Sequence, residues 1–248
     1  INKILKYEPN NITSINILVN ILKTVQLSIT TEKSINEFEK LFIFLFKKNS
    51  INHNDIFNNA KLIFDKVINL TEAESINLTN NLVKDTLNNE LFHLMLQKSL
   101  FRDVNLENFL YIIRKEILFS LNNKRQKNLI FIFNFIISLA HQSFLNEYVM
   151  FQSKEEISFI NKLEEKISGD KDFNELEVSV LACYVPLSKN KKISDKLIKY
   201  KSKNKLFNDL IKMQIEEPLI EENFKNSIKS LENISDQVSR KVKDQYEV

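Results

Sequence analysis

Residues 129–149 read Leu-Ile-Phe-Ile-Phe-Asn-Phe-Ile-Ile-Ser-Leu-Ala-His-Gln-Ser-Phe-Leu-Asn-Glu-Tyr-Val. The first part, residues 129–140, is the most apolar run of the chain and is interrupted by Asn134. A membrane-spanning helix needs about 20 apolar residues, so this run is too short for a span. We therefore predict that residues 129–149 form the central buried helix of the fold, with Phe135 in its core.

Helical spacing recurs on both sides of this segment. One set of apolar residues follows i, i+3, i+4 steps: Leu106, Phe109, Leu110, Ile113, Ile117 and Leu121. A second set ends at Gly169, the expected helix C-cap: Ile157, Ile160, Leu163 and Ile167. Few segments alternate with period two, and no Asn-Gly or Asp-Gly hairpin occurs. The sequence predicts an all-α fold of roughly ten to thirteen helices, arranged as a helical-hairpin array or irregular helical bundle.

Polar residues mark where these helices begin. Ser153, followed three residues later by Glu156, has the pattern of a capping box. Asp103, Asp172 and Ser235 are further candidate N-caps. Clusters of Asn separate the apolar runs, at residues 10–11, 52–54, 88–89 and 122–123. We expect them to form the turns that Gly and Pro usually form.

Glycine and cysteine are nearly absent. Gly169 is the only glycine in 248 residues, whereas phosphate-binding and dinucleotide-binding loops need several. Cys183 is the only cysteine, which excludes an intrachain disulfide and a Cys-based zinc site. The residues show no catalytic, cofactor or metal site, and we expect a cytoplasmic protein that does not enter a membrane.

The strongest local charge lies between residues 189 and 205. This stretch contains only one acid, Asp195, and eight lysines: Lys189, Lys191, Lys192, Lys196, Lys199, Lys201, Lys203 and Lys205. Such a run could hold nucleic-acid phosphates or an acidic protein surface. Tyr200 alone offers a ring for stacking, however, and no Arg is present for bidentate contacts. We interpret the run as a solvated surface, which makes nucleic acid the least supported partner.

The remaining titratable residues are also interpreted structurally. Adjacent residues on a helix point in different directions, so paired acids are expected at solvated faces and helix starts: Glu155-Glu156, Glu164-Glu165, Glu216-Glu217 and Glu221-Glu222. No two histidines share a metal-binding spacing: His53, His93 and His141. Cys183 lies in an apolar stretch and is expected in the core. A Cys-His pair formed by the fold is the alternative.

Two segments combine unusual polar residues. The first is the end of the central segment, with Asn146, Glu147 and Tyr148. The second contains Glu217 and Pro218, where the proline is expected to disfavour α geometry at Glu217 and to open a new helix. Together with one tyrosine near the C-terminus they give the candidate interface: Asn146, Glu147, Tyr148, Glu217, Pro218 and Tyr246.

Several segments, in this order, resemble part of a known bacterial architecture. In that family, tetratricopeptide repeats precede a helical region and then a class I S-adenosylmethionine-dependent methyltransferase domain. The family's Leu-Ala-x-Gln-x-Phe-x-Asn-Glu-Tyr-Val, Ala-x-Tyr-x-Pro-Leu and Gln-x-x-Glu-Pro-x-Glu-Glu patterns are similar to residues 139–149, 182–187 and 214–221. A helix of the family is similar to residues 234–247, and residues 100–103 and 113–115 also look similar, so that the likeness covers roughly residues 88–247. Residues 5–10 look like the end of a tetratricopeptide repeat.

The resemblance implies two regions, a tetratricopeptide-like region at residues 1–87 and a helical domain at residues 88–248. It also implies that S-adenosylmethionine and the methyltransferase domain would lie beyond Val248, in cis. We therefore expect a non-catalytic fragment that positions the catalytic domain, a substrate or a partner. The alternatives are a stand-alone helical-repeat module that binds a protein partner, and a nucleic-acid binder that uses residues 189–205.

Overall fold

A computed structural model describes residues 8–25, 27, 31–69, 76–123, 129–169 and 173–227. Within these ranges every regular element is a helix and there is no strand, which confirms the all-α prediction. The candidate caps Asp172 and Ser235 and the candidate interface residue Tyr246 lie outside the described residues.

The α-helices of the described ranges follow one another closely along the chain. In order they are α1 Ile12–Thr24, α2 Glu32–Phe46, α3 Asn54–Lys61, α4 Asp65–Ile68, α5 Asn81–Leu87, α6 Glu90–Lys98, α7 Val104–Asn122, α8 Phe133–Leu145, α9 Lys154–Ser168, α10 Glu175–Ala182, α11 Lys191–Leu197, α12 Lys205–Ile211 and α13 Glu217–Ser227. A 3₁₀ turn covers Leu187–Lys189, and a π-turn covers Lys212–Glu216.

The helix starts confirm the predicted role of polar residues. Asp103 caps α7, and Ser153 and Glu156 form a reciprocal capping box at the start of α9. Asparagine side chains accept hydrogen bonds from the first turns of six helices: Asn11, Asn80, Asn89, Asn174, Asn190 and Asn204. Gly169 is the C-cap of α9, although its φ of −66° does not use the left-handed conformation open to glycine.

Helix α8 lies at the centre of the fold and packs against α6, α10 and α12. Nine consecutive residues of α8, from Phe135 to Ser143, are buried. Helix α9 packs on α7, α10 and α11, while α1 and α2 pack on α3. Helix α2 also contacts α6, and buried residues on both sides of residue 88 belong to one hydrophobic cluster. The division at residue 88 stays a prediction.

The central helix is shorter than the sequence predicted. It begins at Phe133, because a turn at residues 131–132 precedes it, where Ile130 and Phe131 are 65% and 74% exposed. It ends at Leu145, because Glu147 and Tyr148 have left-handed φ values of 52° and 58°. The apolar run is hydrophobic on all sides, so its pattern does not show which residues the core accepts.

Pro218 lies at the start of α13, but the chain does not break there. Glu217 has α geometry, with φ −63° and ψ −48°, which contradicts the expectation for a residue before proline. In an α-helix the missing N–H of Pro218 would have bonded Gln214, and the ring would crowd that carbonyl. The π-turn widens the backbone at this point, with the Glu217 N–H donating to the Lys212 carbonyl.

Candidate functional site

The side chain of Gln214 joins the three segments that carry the family resemblance. It is fully buried, and its Nε2 donates to the carbonyl oxygens of Ala140 (3.1 Å) and Ala182 (3.3 Å). Its Oε1 accepts from the backbone N–H of Leu187 at 3.3 Å. Three helical segments that are distant in sequence therefore share one buried amide.

A second buried amide, Gln142, holds the end of α8. We assign its amide nitrogen to face the carbonyl oxygens of Leu96 and Ser99, at 2.6 and 3.0 Å, because both are acceptors. In this orientation its Oε1 lies 3.0 Å from the side-chain nitrogen of Asn146. The candidate interface residue Asn146 is therefore half-buried and positioned by α8 itself.

The backbone after Asn146 ends α8 in a strained conformation. The Tyr148 N–H donates to the Ser143 carbonyl (2.9 Å) and the Glu147 N–H to the Phe144 carbonyl (3.0 Å), which is the Schellman pattern. Glu147 occupies the left-handed position that glycine normally fills, and Tyr148 is left-handed as well. Residues in such conformations cluster at functional sites.

Only one of these two side chains faces solvent. Glu147 is exposed, whereas the hydroxyl of Tyr148 is buried without a hydrogen-bond partner among the described residues. Burial raises the pKa of Tyr148 far above its usual range, and its ring packs edge-on against Phe144. Tyr148 is therefore half-buried with an inward-facing hydroxyl, and Glu147 is the exposed residue of the two.

A buried ion pair lies behind this loop. The Arg114 guanidinium, 1% exposed, donates through Nη2 to the Phe151 carbonyl at 2.6 Å and lies 3.9 Å from Oε1 of Glu156. The same guanidinium stacks over the ring of Tyr184, 4.2 Å from its centroid. Arg114 thus fixes the backbone of the loop that follows α8.

Glu156 lies at a helix start, as predicted for the paired acids, but it is buried and not solvated. Glu155 is exposed, but Glu156 is fully buried in the first turn of α9. The capping box turns its carboxylate inward, where Arg114 supplies the opposite charge. The capping-box spacing from Ser153 distinguishes Glu156 from Glu155, but it does not predict the pairing with Arg114, which lies 42 positions away in the sequence.

A cleft of about 400 Å³ opens between α7 and the loop after α8. Seven residues line it: Glu107, Asn108, Tyr111, Asn146, Val149, Met150 and Phe151. Val149 and Phe151 are 78% and 71% exposed, although Arg114 holds the backbone of Phe151. We call this region the α7–α8 cleft. It presents apolar side chains to solvent from a fixed backbone and is the candidate docking site.

The second group of candidate interface residues lies apart from the α7–α8 cleft. Glu217 is exposed and forms a 3.8 Å ion pair with Lys212, and Pro218 is half-buried. Among the described residues, no hydrogen bond or ion pair joins Glu217 to Asn146 or Glu147. The structure does not bring the two predicted groups together.

The histidines and the cysteine have structural roles. A ring nitrogen of each histidine lies within 2.9 Å of a backbone carbonyl: His53 with Lys48, His93 with Leu87 and His141 with Ile137. Cys183 is buried, as predicted, and burial raises its pKa to about 12. Its thiol donates to the Ser179 carbonyl at 3.2 Å.

No group of three or more His, Cys, Asp or Glu side chains in the described ranges is placed to hold a metal ion. No helix in these ranges is long and apolar enough to cross a membrane.

Comparison of the chain with protein-family models, with curated proteins and with solved structures finds no match.

Proposed function

We propose that this chain is a non-catalytic helical module of a tetratricopeptide-repeat-containing, S-adenosylmethionine-dependent methyltransferase. In this role it positions the catalytic domain against a substrate or a partner. The ordered resemblance of residues 139–149, 182–187 and 214–221 motivates the proposal. Their shared contacts with Gln214 support it, because the segments that carry the resemblance meet at one buried amide.

One observation carries the docking role. Val149 and Phe151 are largely exposed, on a loop held by Arg114 and by the Gln142–Asn146 contact. Large apolar side chains on a fixed backbone lose little conformational freedom on binding and are typical of interface anchors. The α7–α8 cleft beside them gives a partner's side chain a place to enter.

The test begins with the coding sequence beyond Val248. We expect an open frame that continues into a glycine-rich, S-adenosylmethionine-binding domain. Titration calorimetry then measures the affinity of residues 1–248 for that domain. The double variant Val149→Ser/Phe151→Ser is expected to weaken binding by about ten-fold or more.

The matched control is Ile17→Ser/Ile21→Ser, an exposed apolar pair on α1. It should leave the affinity unchanged. An unrelated sequence after Val248, or equal affinities for the two double variants, would argue against the proposal.

A stand-alone interaction module is the second candidate, and α1 favours it. Ile15, Leu18 and Leu22 of α1 are buried, whereas Ile17 and Ile21 are 46% and 45% exposed. Helix α1 is thus apolar on two sides, although one apolar stripe is enough to pack on a single neighbour. A protein partner that loses binding with Ile17→Ser/Ile21→Ser but not with Val149→Ser/Phe151→Ser would establish this function.

A further inference from the structure

Exposed and half-buried residues alternate along residues 199–205. Four lysines are exposed, Lys199, Lys201, Lys203 and Lys205, while the three residues between them are half-buried. No acidic side chain of the described ranges forms an ion pair with any of these four lysines. The segment therefore presents a row of positive charges to solvent.

The inward residues of this segment hold it in place. The Tyr200 hydroxyl donates to Glu175 at 2.6 Å, and Ser202 exchanges two 2.9 Å hydrogen bonds with the side chain of Asn208. Asn204 caps α12 and donates to Oδ1 of Asn134 at 2.9 Å. The lysines therefore project from an anchored backbone.

The contact between Asn204 and Asn134 places this row beside the start of α8. Phe131, 74% exposed, and Ile130 lie there. Phe131 supplies an exposed aromatic ring, which Tyr200 does not, because Phe173 and Phe207 pack edge-on against the Tyr200 ring. The fold thus combines a row of lysines with an aromatic ring from a distant part of the chain.

Two clefts of about 450 and 440 Å³ flank Ile130. Aromatic and amide side chains line both: Phe133, Phe173, Asn174 and Tyr200 in the first, and Asn88, His93, Phe131 and Asn134 in the second. One acid lines each cleft: Glu175 accepts a hydrogen bond from Tyr200 at 2.6 Å, and Glu90 forms an ion pair with Lys47 at 2.6 Å.

We propose that Lys199, Lys201, Lys203 and Lys205 together with Phe131 form a binding surface for single-stranded nucleic acid, named here the Lys–Phe surface. The lysines hold successive phosphates, and the bases stack on Phe131 and enter the clefts beside it. A positive track with an aromatic platform is the common plan of single-strand binders. Arginine is absent from the surface, so binding has little base specificity. Clefts with aromatic and amide walls suit planar bases better than a flat lipid surface.

The other lysines of the run provide a control. Lys196 donates to the carbonyls of Ile167 and Gly169 and so caps the end of α9. Lys189, Lys191 and Lys192 are exposed, but they lie at the start of α11, where Asn190 bonds Glu164 of α9. Substituting these three removes the same charge from a different surface.

The test is fluorescence anisotropy with a labelled oligouridylate about 12 nucleotides long. We expect the wild-type chain to bind it with a Kd that rises about fifty-fold between about 50 and 200 mM salt, as four phosphate contacts require. Lys199→Gln/Lys201→Gln/Lys203→Gln should weaken binding by about ten-fold or more and flatten the salt dependence. Lys189→Gln/Lys191→Gln/Lys192→Gln should change the Kd much less.

The aromatic contribution is tested separately. Phe131→Ser should raise the Kd by about ten-fold without changing the salt dependence, because stacking is not ionic. Phe224→Ser, at a ring that is 66% exposed on α13, is the control and should bind as wild type. Circular dichroism confirms that each variant is folded.

Three results would overturn the proposal. The first is no binding at low salt, and the second is an equal loss for the two triple variants, which would indicate non-specific charge attraction. The third is binding to vesicles of phosphatidylcholine and phosphatidylserine in place of the oligonucleotide, lost with Phe131→Ser. That result would assign the surface to an anionic membrane.

Discussion

The hydroxyl of Tyr184 donates a 3.0 Å hydrogen bond to Oε1 of Glu156, and both side chains are buried. The other carboxylate oxygen accepts from the Ser153 N–H at 2.8 Å, which closes the capping box of α9. Arg114 stacks on the Tyr184 ring and lies near the same carboxylate. One helix cap is therefore part of the ion-pair network that supports the α7–α8 cleft.

Removing the carboxylate of Glu156 should be strongly destabilising. We expect Glu156→Ala to lower the free energy of unfolding by about 3–5 kcal/mol, because the charge of Arg114 would stay buried without its partner. Urea denaturation measures the change. Glu155→Ala, at the exposed neighbour, is the control and should stay within about 0.5 kcal/mol of wild type. Equal effects of the two substitutions would show that the buried pair contributes nothing.

The amide of Gln214 should be equally sensitive to an apolar replacement. Gln214→Leu would leave the Ala140 and Ala182 carbonyls and the Leu187 N–H buried without their hydrogen bonds. We expect a loss of about 2 kcal/mol or more in the free energy of unfolding by urea denaturation. Lys212→Leu, in the same π-turn but exposed, should have almost no effect. A Gln214→Leu protein as stable as wild type would rule out the bridging role.

Phe135 and Phe131 make a matched pair in the central segment. Phe135 is fully buried, with its ring stacked 6.0 Å from that of Phe92, whereas Phe131 is exposed. Phe135→Asp should lower the Tm by about 10 °C or more, because it buries an unpaired charge. Phe131→Asp should leave the Tm nearly unchanged. If the two variants had the same Tm, the placement of the start of α8 would be wrong.

The histidines should make the protein less stable as the pH falls. Burial lowers the pKa of His53, His93 and His141 below the ordinary 6.5, and the charge of Lys98 adds to the effect at His53. A lowered pKa in the folded state means that the unfolded chain binds protons first as the pH decreases. The free energy of unfolding should therefore be constant above the unfolded value of 6.5 and decrease below it.

Urea denaturation between about pH 7.5 and 5.5 tests this, because most carboxylates stay ionised in that window. His93→Gln should flatten part of the decline. A decline that is equally steep in this variant would mean that His93 does not contribute to it.

Local signals predicted much of the fold. All six apolar residues expected on one face of α7 are buried, because their spacing depends on the geometry of one helix. The caps at Asp103 and Ser153 are confirmed for the same reason, since the side chain bonds a backbone N–H only three residues away. The limits of α8 were not predictable, because residues 129–140 are apolar on every side and the fold decides which of them it buries.

The candidate site depended on long-range contacts and was predicted only in part. Asn146 lines the α7–α8 cleft, whereas no pattern in the sequence pointed to Arg114 or Phe151 beside it. The same holds for the Asn134–Asn204 contact, which places residues 199–205 beside the start of α8. A single sequence contains no signal for such pairs, whereas a helix cap needs only its neighbours.

The strain at the end of α8 leads to a prediction with an unusual sign. Glu147 has a left-handed φ of 52° at the position where a Schellman motif normally has glycine. This conformation costs an L-residue with a side chain about 1 kcal/mol, whereas glycine adopts it without this cost. We therefore expect Glu147→Gly to raise the free energy of unfolding by about 1 kcal/mol. The control Glu165→Gly, within α9, should lower it by about 0.5–1 kcal/mol, because glycine weakens a helix interior. Urea denaturation measures the free energy of unfolding of both variants. Decreases of the same size in both would show that residue 147 is not strained.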